Sequence, residues 1–150
     1  MTRKLLSPAL VLAVFAADRL TKAWALKELP GRPAELLPFL RLTYAENTGV
    51  AFGMFHGNNF FFLALSVLLV GALLYWRRRI AAHGAAAETG VALVLAGALG
   101  NIYDRIGHGF VIDFIDLAWF PAVFNVADSA ITVGAGLLAL GVRDLPEKAS

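Results

Sequence analysis

The chain of 150 residues contains no cysteine, which excludes disulfides, thiolate metal sites and cysteine nucleophiles, and leaves the redox compartment unread. It is also short of charge: 16% of its residues are Asp, Glu, Lys or Arg, against about 25% in an ordinary soluble domain. Its three histidines, His56, His83 and His108, are scattered, and none stands in the His-Glu-x-x-His spacing that a zinc protease needs. Ser129 has neither a histidine close by nor a Gly-x-Ser-x-Gly setting, which leaves a serine hydrolase without support. Gly97 and Gly100 fall inside an apolar run, so they read as helix packing and not as a phosphate-binding loop. The small basic excess, a formal net charge of +2, gathers where apolar runs end. That distribution suits membrane orientation and implies no nucleic-acid partner.

What the chain has is apolar length. It is 59% hydrophobic with a mean hydropathy of +0.69, and a membrane span needs about 20 such residues. Four runs qualify, at about 5–26, 60–76, 85–103 and 121–142. The expectation is an all-α membrane protein with four transmembrane helices and one domain over 1–150. The first run is not a cleavable signal peptide, because Asp18, Arg19 and Lys22 interrupt it. Arg3 and Lys4, the Arg77 to Arg79 cluster, and Arg143 with Lys148 all fall on one side if four spans alternate. Basic residues are retained on the cytoplasmic side, so both termini are expected there. The two remaining connections then face outward, and they hold most of the remaining polar residues. The first, with its alternating Leu36 to Tyr44 stretch, reads as a small sheet or hairpin resting on the membrane. The second, Phe110 to Phe120, is apolar with spaced acids and ends in Trp119-Phe120, and it reads as an interfacial segment.

An ionisable side chain inside a span costs about 2.5–3.5 kcal/mol on insertion scales, so each one needs a reason. Asp18 has Lys22 one helical turn away and Arg19 beside it, which favours a structural ion pair. Asp104 is followed by Arg105, and a positioning salt bridge is expected there too. Asp128 has no cation in its own helix before Arg143, and Asp113 stands between Ile112 and Phe114 with no basic residue nearer than His108. If the outer segment folds back over the fourth helix, these two carboxyl groups meet at the membrane boundary. Two acids held that close share a proton, and one serves as general base while the other serves as general acid. Spacing leaves alternatives open. Asp113 could cap a helix or face water, Asp128 could be polar glue bonded to Asn125 or Ser129, and Asp116 competes with Asp113 for the same role.

The blocks Asp18-Arg-Leu-Thr-Lys22, Asn47-Thr-Gly49-Val-Ala51-Phe52-Gly53, Gly97-Ala-Leu-Gly100-Asn101-Ile-Tyr-Asp104-Arg105, Val111-Ile-Asp113-Phe114-Ile115 and Phe124-Asn125-Val-Ala127-Asp128-Ser-Ala-Ile131 closely resemble, in order and spacing, the lipoprotein signal peptidases, also called signal peptidase II. The resemblance covers nearly the whole chain. It implies an aspartic endopeptidase of the bacterial inner membrane that uses two aspartates and no metal or other cofactor. Its substrate would be a diacylglyceryl-modified prolipoprotein, cleaved just before the lipidated cysteine and reached from the membrane lipid. The resemblance implies that the dyad is Asp113 with Asp128, against Asp116 and Asp104. It further implies that Asn47, Gly49, Asn101, Arg105 and Asn125 place substrate and dyad, that Asp18 and Lys22 are structural, and that the outer connection forms a β-cradle on the membrane surface. The active site would lie on the extracytoplasmic side. The stretch between Asp113 and Asp128 is shorter than is usual in that family, which bears on the loop's reach over substrate. Oligomeric state is not readable, and a monomer is compatible with the sequence.

Two readings from other classes stand beside it. A small proton-coupled transporter would also use a membrane carboxylate, but transport sites lie near the midplane, whereas Asp128 falls in the outer half of its run. A non-catalytic assembly factor would use the same polar residues only as contacts between helices.

Overall fold

The structure, a computed structural model, describes residues 3–49 and 58–143, with side chains from residue 8 to residue 141 within them. His56, Val50 to Gly53 of the second family block, Lys148, and the side chains of Arg3, Lys4 and Arg143 lie outside the described residues. The chain runs α1 (Arg3–Glu28), β1 (Ala34–Leu37), β2 (Leu40–Asn47), α2 (Asn59–Ala81), α3 (Ala85–Gly107), β3 (Val111–Leu117) and α4 (Val126–Arg143).

The protein is mostly helical and carries a small sheet beside the helices, as the expected β-cradle requires. Three strands form one antiparallel sheet in the order β1-β2-β3. The alternating stretch after α1 is a hairpin, with Glu35 opposite Arg41 and Leu37 opposite Leu40. The second outer connection, expected as an interfacial segment, is instead strand β3. Its Val111-Ile112 and Phe114-Ile115 pairs are β-formers, and β2 offers them an open ladder, with Ala45 opposite Asp113 and Arg41 opposite Asp116. One face of the sheet closes over the end of α1, where Ala25 and Leu29 pack with Ile112 and Phe114.

Two helices, α2 and α3, are long and apolar enough to cross a membrane by length and composition. Helix α1 has the length, but Asp18, Arg19 and Lys22 interrupt its apolar run, and α4 is apolar but shorter. The fourth run was expected to be helical from about 121; the helix begins at Val126. The reason is local: the chain from Ala118 to Phe124 turns back on β3, with Phe124 bridging to Ile115, and Asn125 then starts the helix.

Helix α3 is the centre of the bundle, packed against α1, α2 and α4. Gly97 makes the closest approach possible, since a Cβ there would collide with the backbone of Ala127 and lie 2.8 Å from Ile131. Small residues at such a seam let two backbones approach without apolar driving force. Beyond α3 the chain reverses through Gly109, whose φ of +80° is a conformation glycine adopts without a Cβ penalty. That turn delivers β3 back over the helix ends, beside the first turn of α4.

Candidate active site

Side chains alternate across a strand, so Asp113 and Asp116, three residues apart on β3, point to opposite faces. Asp116 meets Arg41 on β2 at 2.6 Å in an exposed pair. Asp113 turns inward and is 1% exposed. The two candidates that spacing left equal are therefore in different surroundings.

Asp128 lies in the first turn of α4, where backbone N–H groups have no partner in the helix itself. Asn125 satisfies that end: its Oδ1 accepts the backbone N–H of Asp128 at 2.8 Å and its carbonyl accepts that of Ser129 at 3.1 Å. This is an N-cap. With Oδ1 committed to a donor, the other end of the same amide must present its N–H groups outward, and Nδ2 donates to Asp113 Oδ1 at 2.6 Å. One asparagine thus joins the helix start that carries Asp128 to the strand that carries Asp113.

Two further asparagines are oriented by the same logic. Asn47, the last residue of β2, accepts the Gly49 N–H at Oδ1, 3.0 Å away, and donates through Nδ2 to Asp113 Oδ2 at 3.0 Å. Asn101 on α3 accepts from Lys22 Nζ at 2.9 Å and donates to Asp128 Oδ1 at 2.8 Å. Burial pushes the Asp113 carboxyl up to about 7, and the neighbouring Asp128 charge adds to the effect. The amides of Asn47 and Asn125 and the charge of Lys22 pull the other way. A carboxyl that titrates near neutrality, beside a second one, suits proton transfer.

Behind this lies a buried ionic cluster. Asp18 meets Lys22 at 3.2 Å and Arg19 at 2.9 Å, while Asp104 meets Arg19 at 2.7 Å and Lys22 at 2.8 Å. The expected partner of Asp104, Arg105, is not its partner, because the two adjacent residues leave α3 in different directions. Asp104 faces α1 and also accepts the Ile112 N–H at 3.2 Å. Arg105 lies under the ring of Phe62 at 5.9 Å and reaches toward the Gly49 carbonyl at 3.5 Å. Among the described residues it forms no ion pair, and its Nε is buried without a partner. The bridging role of Arg19 between two carboxylates 86 positions apart was not visible in the sequence, which marked it only as a neighbour of Asp18. The bond from the Ala127 N–H to Asp18 Oδ1, at 3.0 Å, had no sequence signal at all.

A cleft of about 730 Å³ opens in front of Asp128. Asn47, Gly49 and Arg105 line it on the polar side, and Leu117, Trp119, Phe120, Phe124, Ile131 and Val133 on the apolar side. Asp113 sits behind the cleft wall, between the amides of Asn47 and Asn125. Among the described residues no cluster of three or more His, Asp or Glu side chains is arranged to hold a metal ion.

Comparison with known proteins gives a family and a fold for the chain. The chain is similar to the lipoprotein signal peptidase of Syntrophomonas wolfei subsp. wolfei, 46% identical over 133 residues that span 86% of this chain and 87% of that protein. It is similar to that of Caldanaerobacter subterraneus subsp. tengcongensis, 42% identical over 134 residues, 87% of this chain and 92% of that one. A bacterial membrane enzyme solved by the in meso method at 2.3 Å resolution superposes with a TM-score of 0.84 at 30% identity, over 97% of this chain and 94% of its own. The family model described as signal peptidase (SPase) II matches residues 10–143, which takes in most of α1, the sheet and α4 in one match. The chain therefore belongs to the signal peptidase II family of membrane proteases.

Proposed function

We propose that the protein is an aspartic endopeptidase that removes the signal peptide from diacylglyceryl-modified prolipoproteins, with Asp113 and Asp128 as its catalytic dyad. The observation that carries this reading is that Asn125 ties the Asp113 carboxyl, buried on β3, to the backbone start of the helix that carries Asp128, whose side chain lines the cleft. They share one proton; the charged member takes a proton from an attacking water, and the other proton passes to the leaving amine as the tetrahedral intermediate collapses. Removal of either carboxylate leaves one half of that exchange without a carrier.

The shape of the cleft supports a lipid-modified substrate. Its apolar wall, from Leu117 to Val133, suits acyl chains and the apolar part of a signal peptide, while Arg105, Gly49 and Asn47 offer polar groups to the peptide backbone near Asp128. Substrate would enter sideways from the lipid, and cleavage would fall just before the lipidated cysteine. In this reading all four helices cross the bacterial inner membrane with both termini in the cytoplasm, and the sheet and dyad face outward. The whole chain, 1–150, acts as one peptidase domain, with Asp18, Lys22 and Asp104 holding the helices under the site.

The test is cleavage of a diacylglyceryl-modified prolipoprotein by purified protein, followed by gel shift with chelator present. Wild type should cleave, and folded Asp113→Asn and Asp128→Asn variants should not. Full activity in either variant would remove the dyad. A folded wild type that leaves substrate intact, yet takes up a solute in vesicles when a pH gradient is imposed, would make the protein a transporter.

A further inference from the structure

The ionic cluster under the dyad contains a bond that structural support alone does not require. Lys22 is 1% exposed and already has two carboxylates, Asp18 and Asp104, within 3.2 Å. Arg19 contacts the same two carboxylates, so the cluster balances two cations against two anions, although the charge of Lys22 is still felt at Asp113. Yet Lys22 spends a hydrogen bond on a neutral group, Asn101 Oδ1, at 2.9 Å.

An ammonium has donors only. Whatever faces Lys22 must be an acceptor, and for a side-chain amide that fixes the other end as a donor. Asn101 therefore has no choice but to turn its N–H groups to Asp128, which it meets at 2.8 Å. The other donor to Asn101 Oδ1 is Asn125 Nδ2 at 3.4 Å, and that group already makes its short bond, 2.6 Å, to Asp113. Without Lys22 the amide of Asn101 has little to hold its direction. A flipped amide would set a carbonyl oxygen against the Asp128 carboxylate.

We infer that Lys22 is a positioning residue for catalysis: by pinning the oxygen of Asn101 it fixes the amide that donates to Asp128. This rests on the proposed dyad and goes beyond a structural role for Lys22. The ionisable groups that face this region are Asp18, Arg19 and Lys22 from α1, Asp104 and Arg105 from α3 with His108 beyond them, Asp113 from β3, and Asp128 itself. Of these, Lys22 is the one that donates to Asn101, and Asp128 is the one that accepts from it.

The experiment compares the pH dependence of prolipoprotein cleavage in wild type, Lys22→Met, and Lys22→Met/Asp104→Asn, each with Asn101 and with Asn101→Leu. The Lys22→Met/Asp104→Asn pair keeps one carboxylate for the remaining guanidinium, so it avoids stranding a buried charge. A hydrogen bond to a charged group that is lost should move the pH profile of the folded enzyme upward by about one to two units. It should also lower kcat by about tenfold or more with KM little changed. In the Asn101→Leu background the change at Lys22 should add no further shift, because the amide through which it acts is gone. An unchanged profile with less folded protein would overturn the inference, as would equal shifts in both backgrounds, which would mean that Lys22 acts by charge alone. Failure of both Lys22 variants to fold would make the residue structural and overturn it as well. A wild type without cleavage would remove the dyad reading itself, and this inference with it, whereas normal wild-type cleavage confines any failure to Lys22.

Discussion

The Asp18 carboxylate on α1 accepts the backbone N–H of Ala127 at 3.0 Å, a contact across 109 positions of the chain. Ala127 precedes Asp128, so the end of α4 that carries the cleft carboxylate is tied directly to the buried cluster. Asp18 is fully buried and also serves Lys22 and Arg19.

Asp18→Ala should therefore be among the more damaging changes in the chain. It strands an N–H and leaves two cations with one carboxylate, and breaking a buried pair in this way costs about 3–5 kcal/mol. Asp18→Asn keeps an acceptor for Ala127 and should lose less. Thermal unfolding of the purified protein in detergent would rank the two; equal melting temperatures would mean that α4 is held by other contacts.

The pH dependence follows from Asp113. Its carboxyl titrates at about 7 in the folded protein instead of 3.8, so between those values the native chain holds a proton that the unfolded chain has released. The contribution of this one group to stability is then most favourable below that window and falls as pH rises through it, levelling off above about 7. Cleavage should follow the same proton: the singly protonated dyad is lost as pH rises through about 7, and kcat/KM should decline there. A profile flat from pH 6 to pH 9 would contradict this.

Asp116→Asn should leave cleavage intact. Its carboxylate faces Arg41, whose side chain is 52% exposed, at 2.6 Å, and an exposed pair of this kind contributes about 0–1 kcal/mol. The same substitution at Asp113 should abolish activity, although both acids belong to one short strand. A large loss of kcat in Asp116→Asn would return that residue to the candidates.

Much of this was legible in the chain, and the gaps have physical causes. The long apolar runs located the helices because burial in lipid demands continuous apolar length. The stretch from Val111 to Leu117 carries no clean alternation, since several of its residues are buried whichever way they point, and its strand character depends on β2, which is remote in sequence. The late start of α4 did have a signal, an Asn at 125 with an acid three residues later, masked by the apolar Pro121-Ala-Val-Phe124 that precedes it. The family resemblance pointed to Asp113 over Asp116, but spacing alone could not, because that needs the strand's period of two, usable only once the segment is known to be a strand. The partners of Asp104 lie on another helix, and neighbours in sequence pointed to the wrong arginine.

The bridge between Ile115 and Phe124 has a consequence for variation in length. Phe124 donates to the Ile115 carbonyl at 2.9 Å and accepts from Phe114 and Ile115 at 3.0 and 2.7 Å, so the chain is stapled to itself before it reaches Asn125. Residues 116–123 form a closed excursion whose two ends are fixed by backbone bonds. Insertions or deletions at its tip change how far Trp119 and Phe120 extend over the cleft, while the backbone from Phe124 into Asn125 stays tied to β3. Reach and chemistry are thereby free to diverge independently, and a shortened tip is a change in the mouth of the enzyme and not in its teeth.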